Sequence, residues 1–198
     1  VEMEARRSQL EALNRSQAII EFELDGTVLT ANENFLSVMG YSLREIQGEH
    51  HQMFCDDAYT SSPEYRQFWK ALRAGEPQSG EFKRTGKGGK EVWIIASYNP
   101  ILDSNGKPVK IIKFATDITA SKVELKVRTE IMNLTSIVSE SDLRGDILSV
   151  NDKFCEVSKY NRDELLGKPH NTTRHPDMAK EVFREVWSTI GKGQTFRG

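Results

Sequence analysis

The chain has no uninterrupted apolar run near the roughly 18 residues that a membrane-spanning helix needs, and its mean hydropathy of -0.54 is that of a water-soluble chain. It has only two cysteines, Cys55 and Cys155, a hundred residues apart and without a C-x-x-C pair. Neither a disulfide framework nor a zinc–thiolate site is therefore expected, and a reducing, cytoplasmic setting is. It also lacks a dominant charge: Lys plus Arg number 27 and Asp plus Glu 29, a net charge of -2. That balance offers no electrostatic footprint for nucleic acid or an anionic bilayer. Catalytic signatures are missing as well. There is no G-x-S-x-G and no H-E-x-x-H, and Gly86-Lys87-Gly88-Gly89-Lys90 lacks the spacing of a phosphate loop, so no enzymatic activity is expected. The sequence opens at Val1 rather than Met, shows no secretory leader and stops at Thr195 to Gly198 within an expected strand, so it reads as a piece of a longer protein.

What the sequence does have is one unit written twice. A shift of 119 superimposes Glu21, Leu24, Gly26, Leu29, Asn32, Phe35, Val38, Tyr41, Glu45, Gly48 and His51 on Glu140, Leu143, Gly145, Leu148, Asn151, Phe154, Val157, Tyr160, Glu164, Gly167 and His170. Those are 11 identities across positions 21–51, where chance would supply roughly two. A shift of 118 then aligns Arg66, Trp69, Gly75 and Gly80 with Arg184, Trp187, Gly193 and Gly198. A length of 198 residues suits two cores, since domains commonly run about 100 to 150 residues.

Within the first copy, Ile19 to Leu24 alternates as a half-buried strand, Asp25-Gly26 signals a two-residue hairpin turn, and 27–31 forms the returning strand. Short helical spacings follow to Gly48. Ser62-Pro63-Glu64 then carries helix-start chemistry for a helix to about Ala74, with Tyr65, Phe68, Trp69 and Leu72 on one face. Strands are expected at 80–85, 91–101 and 109–118, with turns at 86–89 and at Asn105-Gly106. The order ββ, short helices, βββ predicts an α+β domain: a five-stranded antiparallel sheet with helices across one face and room for a small ligand between. The domains expected are a helix over 1–18, a first unit over 19–119, a connecting helix over 120–135 and an incomplete second unit over 136–198. The connecting helix carries Val123, Val127, Ile131 and Leu134 as an apolar stripe that pairs with its own copy or lies on a domain. Glu2 to Gln17, with Met3, Leu10 and Leu13 near heptad spacing, reads equally as a surface helix or a dimer seam.

Gly26-Thr27-Val28, Asn32-Glu33-Asn34-Phe35, Gly40-Tyr41-Ser42, Glu45 to Gly48 and the closing Asp117-Ile118-Thr119 together resemble PAS sensor domains, over nearly the whole chain. In the second copy, Asn151 to Phe154, the run Pro169 to Met178, and Trp187 resemble the flavin-binding PAS domain of bacterial aerotaxis receptors. The pair is similar to the sensory half of soluble double-PAS chemotaxis transducers, a group that includes biofilm-dispersion regulators. The resemblance implies a homodimeric redox or oxygen sensor holding FAD in the second unit, with an output domain in the same chain and chemotaxis signalling proteins as partners.

The residue types suit a flavin. Its flat apolar body calls for an aromatic wall and its polar edge for a side-chain amide, which Trp187 and either Asn151 or Asn171 offer. A pyrophosphate calls for a bidentate guanidinium, and Arg174 is the candidate, with His175 beside it and Asp177 to orient either one or favour the next helix start. Plainer readings stand beside each. Trp187 keeps helical spacing with Ile190 and so reads as core, Arg174 as a surface charge, His175-Pro176-Asp177 as a helix entry, and Asn151 as a helix cap. The first copy keeps Asn32, His51 and Trp69 but has Gln52 to Tyr59 where the arginine motif would be. It holds a flavin without that arginine, holds haem through His50 or His51, or binds nothing and serves dimerisation and relay. A redox change at the flavin N5, from acceptor to donor, rearranges a hydrogen bond worth about 1 kcal/mol, enough to shift a two-state equilibrium roughly tenfold. The connecting helix would carry that shift to a histidine kinase, a cyclase or a chemotaxis output.

Overall fold

The computed structural model describes residues 11–12, 14–174, 177 and 179–197. It divides into two compact units, Val1–Val123 and Glu124–Gly198. In the first, strands β1 (Ala18–Phe22) and β2 (Val28–Ala31) precede helices α1 (Glu33–Met39) and α2 (Leu43–Ile46), a 3-10 turn (His51–Phe54), and helices α3 (Asp57–Thr60) and α4 (Pro63–Arg73). Three long strands follow: β3 (Gln78–Thr85), β4 (Glu91–Leu102) and β5 (Pro108–Asp117). The sheet is antiparallel in the order β2-β1-β5-β4-β3, the α+β arrangement that the sequence implies.

Alternation decides which face is covered. Ala18, Ile20 and Phe22 of β1, Val92, Ile94, Ala96 and Tyr98 of β4, and Ile111 and Ala115 of β5 are all buried, as period-2 geometry requires. Tyr65, Phe68, Trp69 and Leu72 of α4 meet them from the helical layer. Ser62 caps α4 by accepting from the Tyr65 amide at 3.1 Å, with Pro63 in the first turn.

One local expectation fails. The β1–β2 connection is not a two-residue turn but spans residues 23–27, closed by Glu23 N–H to Thr27 C=O at 2.8 Å. Asp25 Oδ1 accepts from the Thr27 amide at 2.9 Å and stabilises the wider loop. Gly26 has φ 100°, and a Cβ there would sit 2.7 Å from His50 Nε2 and 3.1 Å from the Trp69 ring. The 86–89 segment is a tight turn between β3 and β4, not a phosphate loop.

Helix α5 (Thr119–Thr135) leads into the second unit, where the sequence repeat reappears as β6 (Ser139–Ser141), β7 (Ile147–Val150), α6 (Asp152–Ser158), α7 (Arg162–Leu165), a 3-10 turn (His170–Thr173) and α8 (Lys180–Ile190). These correspond in order to β1, β2, α1, α2, the 3-10 turn and α4 of the first unit, with no counterpart of α3 among the described residues. A small cluster of Ile147, Val150, Phe154 and Leu165 forms its core. The repeat holds at the level of single bonds: His51 N–H donates to Gly26 C=O at 2.8 Å and His170 N–H to Gly145 C=O at 2.8 Å. Residues 11–12 and 14–16 are helical, whereas Met3, Leu10 and Leu13 lie outside the described residues. No helix among the described residues is long and apolar enough to cross a membrane.

Candidate functional site

The interior of the first unit is aromatic and, unexpectedly, cationic. His51 is fully buried; its Nδ1 lies 3.0 Å from the Tyr65 hydroxyl and its Nε2 3.0 Å from the Tyr98 hydroxyl. Burial, reinforced by nearby Arg84 and Lys113, holds the imidazole well below its usual pKa, so it is neutral. The Tyr98 hydroxyl also accepts from Arg84 Nη2 at 3.1 Å, and burial pushes its pKa up to about 12. Arg84 lies 4.7 Å from the Phe82 ring and Lys113 lies 4.8 Å from the Tyr98 ring. Trp69 stands edge-on to Phe22 and His51 and covers Gly26.

Asn32 does different work. Its Oδ1 accepts from the Phe35 amide at 3.0 Å, capping α1, and from the Ile19 amide at 2.9 Å. Its Nδ2 donates to the Asn14 and Gln17 carbonyls. Asn151 repeats the pattern, with Oδ1 accepting from Phe154 and Val138 and Nδ2 donating to Asn133 and Ser136.

The remaining candidates in the second unit are spread out. Trp187 packs on Gly145, where a Cβ would meet the indole at 2.9 Å, and borders a cleft of about 260 Å³ lined by Ser141, Asp142, Leu143, Arg144, Ile190 and Gly191. Asn151 borders a different cleft of about 410 Å³, together with Asn133, Leu134 and Arg162. Asn171 and Asp177 are exposed and Arg174 is half-buried. His175 lies outside the described residues. Neither cleft brings the amide, the indole and the guanidinium together.

Two family profiles, both described as the PAS fold, match residues 28–115 and 125–198. The two units are PAS domains. The chain is 37% identical over 191 residues to the biofilm dispersion protein BdlA of Pseudomonas aeruginosa, covering 94% of this chain and 46% of that protein. It is 43% identical over 70 residues to the aerotaxis receptor of Escherichia coli, covering 35% of this chain and 14% of the receptor. Against a solved light-oxygen-voltage domain from work on a flavin analogue, the TM-score is 0.50 at 19% identity, covering 63% of this chain and 94% of that one. The chain thus spans about half the length of the first of these relatives, and much less of the second.

Asn32 and Asn151 use both oxygen and nitrogen on backbone groups, so neither amide is available to a flavin edge without breaking a cap. Haem ligation by His50 or His51 in the first PAS unit would have to displace an existing hydrogen bond. Both nitrogens of His51 are engaged by tyrosines, and those of His50 by the Asp25 carbonyl at 2.7 Å and the Gln52 amide at 3.2 Å. Trp69 is a core residue. For the second PAS unit, Trp187, Asn171 and Arg174 remain the described residues whose chemistry suits a flavin. Among the described residues no group of three or more His, Cys, Asp or Glu is placed to hold a metal ion.

Sequence reasoning gives no role to Arg84, Lys113 or Tyr98, and places Tyr65 only on the apolar face of α4. Strand phase could have found the cations, because Lys113 lies between the inward positions Ile111 and Ala115, and Arg84 shares its face with Phe82.

The exit from the first PAS sheet is tightly joined to α5. The Trp93 amide donates to Thr119 Oγ1 at 2.9 Å, and Ile118 N–H donates to the Trp93 carbonyl at 2.8 Å. Asp117 Oδ1 accepts from both the amide and the hydroxyl of Thr119, at 2.8 and 2.6 Å. Lys122 pairs with Glu81 at 2.5 Å and lies over the Trp93 ring. No residue of α5 is buried, and Val123, Val127, Ile131 and Leu134 are all exposed.

Proposed function

We propose that this PAS pair is the non-enzymatic, cytoplasmic sensory part of a chemotaxis-type transducer, in which helix α5 carries the signal. One observation carries the reading: α5 is fastened at its start to the first sheet through Thr119 and Trp93, and at its end to the second unit through Asn151. A rearrangement in either core acts on one end of the same helix, and the other end is held by a different domain. The exposed apolar residues of α5 suit pairing with a second copy, which makes the working unit a homodimer. An output domain of the same protein would receive the change and pass it to chemotaxis signalling proteins.

The similarity to the aerotaxis receptor supports FAD in the second PAS unit as the redox-sensitive group. A bound flavin supplies a polar edge whose N5 accepts a hydrogen bond when oxidised and donates one when fully reduced. In this chain Trp187 would wall the ring, Asn171 would meet its polar edge, and Arg174 would neutralise its phosphates. Asn151 acts one step back, holding β6, α6 and the end of α5 in register, so that strain at the cleft reaches the helix.

Hydrogen exchange along residues 119–135 in the intact protein, oxidised and then chemically reduced, tests this reading. Altered protection of the helix amides is expected. Identical protection in both states contradicts the relay.

A further inference from the structure

We propose that the interior of the first PAS unit binds a small organic carboxylate, held between Arg84 and Lys113 with its apolar part among the core aromatics. Arg84 is 3% and Lys113 1% exposed. Among the described residues no Asp or Glu is buried, and neither cation takes part in an ion pair. Arg84 donates from Nη1 to the Lys83 carbonyl at 2.8 Å and from Nη2 to the Tyr98 hydroxyl, while its Nε is buried with no partner. The Lys113 ammonium lies over two rings, 5.5 Å from Phe35 and 4.8 Å from Tyr98, with the buried Cys55 thiol as a neighbour of both cations. The Trp69 indole nitrogen is a third buried donor, with no well-formed hydrogen bond and only the Tyr65 hydroxyl near it.

Such an arrangement has no account in packing alone. A guanidinium keeps its proton in any protein interior, and an unpaired buried cation is unfavourable enough that an apolar side chain of the same volume would serve the fold better. Both cations occupy inward strand positions where the pleat elsewhere places aliphatic or aromatic residues. What the interior presents is a surplus of donors and a deficit of acceptors. A carboxylate supplies two acceptor oxygens and one negative charge. Phe22, Phe35 and Phe54 then suit an apolar body better than a hydrated polyanion.

Access follows from α3. That helix contributes no buried residue, and the ring of its half-buried Tyr59 lies 5.7 Å from the Arg84 guanidinium. Displacing α3 uncovers little apolar area, so it is the element whose opening admits a ligand to Arg84.

The test measures thermal unfolding of the intact protein at constant ionic strength with millimolar acetate, hexanoate, benzoate or succinate, using benzamide as the neutral match to benzoate. At least one carboxylate is expected to raise Tm where benzamide does not, and to move the indole N–H resonance of Trp69. Lys113→Met should keep the fold while weakening that carboxylate at least about tenfold, the loss expected on removing a charge-assisted contact; Arg84→Gln should do the same. No Tm shift with any of the four carboxylates overturns the proposal. So does an equal shift with benzamide, or a shift that survives undiminished in Lys113→Met.

Discussion

Asn151 donates to the carbonyls of Asn133 and Ser136 at 3.0 and 2.7 Å, and Asn32 donates to those of Asn14 and Gln17 at 3.0 and 2.8 Å, at identical sequence separations of 18 and 15. One side chain in each PAS unit thus ties the preceding helical segment, the first strand and the first helix together. Replacing Asn151 by Ala removes a cap and leaves several backbone groups without partners, for a loss of about 1 to 2 kcal/mol. Urea unfolding should show that loss in the second unit, with faster exchange of the Phe154 and Val138 amides. Unchanged exchange at those two amides contradicts the clamp.

At the other end of α5, Thr119 offers its hydroxyl oxygen to the Trp93 amide. Thr119→Val keeps the shape and deletes the acceptor, which should cost about 1 kcal/mol. Hydrogen exchange is expected to rise at Trp93 and through the first turn of α5 while the central strands stay protected. A uniform change across the sheet would place the effect in the core instead.

Lys113 sets a pH dependence. Burial, helped by Arg84, lowers its pKa well below the usual 10.5. The folded chain therefore holds this proton less tightly than the unfolded chain does, and stability from this group rises with pH until 10.5 is reached. Lys113→Met removes that dependence. Its Tm should exceed that of the parent at neutral pH, with the difference shrinking as pH climbs toward 10.5. A variant less stable than the parent at every pH contradicts the claim that the lysine is held at a cost.

Glu45 acts in the opposite sense. The hydrogen bond from Lys87, followed by those from the amide and hydroxyl of Ser42, lowers its pKa from 4.5 to about 2. The stabilisation is complete above pH 4.5 and disappears as pH falls toward 2. Glu45→Gln should therefore melt below the parent at neutral pH and converge with it in acid. Because the pair is exposed, added salt should narrow the gap.

Much of this architecture was legible in the sequence because it rests on local rules. Alternation fixed β1, β4 and β5, Ser62-Pro63 fixed the start of α4, and the repeat announced two like units. The loop at 23–27 departs from the expected tight turn because Asx-turn bonding from Asp25 competes with the geometry that Asp-Gly otherwise favours. By sequence alone Asn151 suits a flavin edge or a helix cap equally, and its bonds to distant carbonyls are visible only in the structure. The buried Arg84 and Lys113 were hidden for another reason: composition counts them as surface charge, and only their phase in a strand reveals that they point inward.

The most direct measurement of the central claim is the visible absorption spectrum of the intact protein, purified without added cofactor and again after incubation with FAD. A redox-sensing PAS pair predicts the two bands of oxidised flavin, bleached on reduction and restored by air, with less flavin retained by Arg174→Ala. A preparation that stays colourless in both conditions, while its secondary structure is intact, contradicts it.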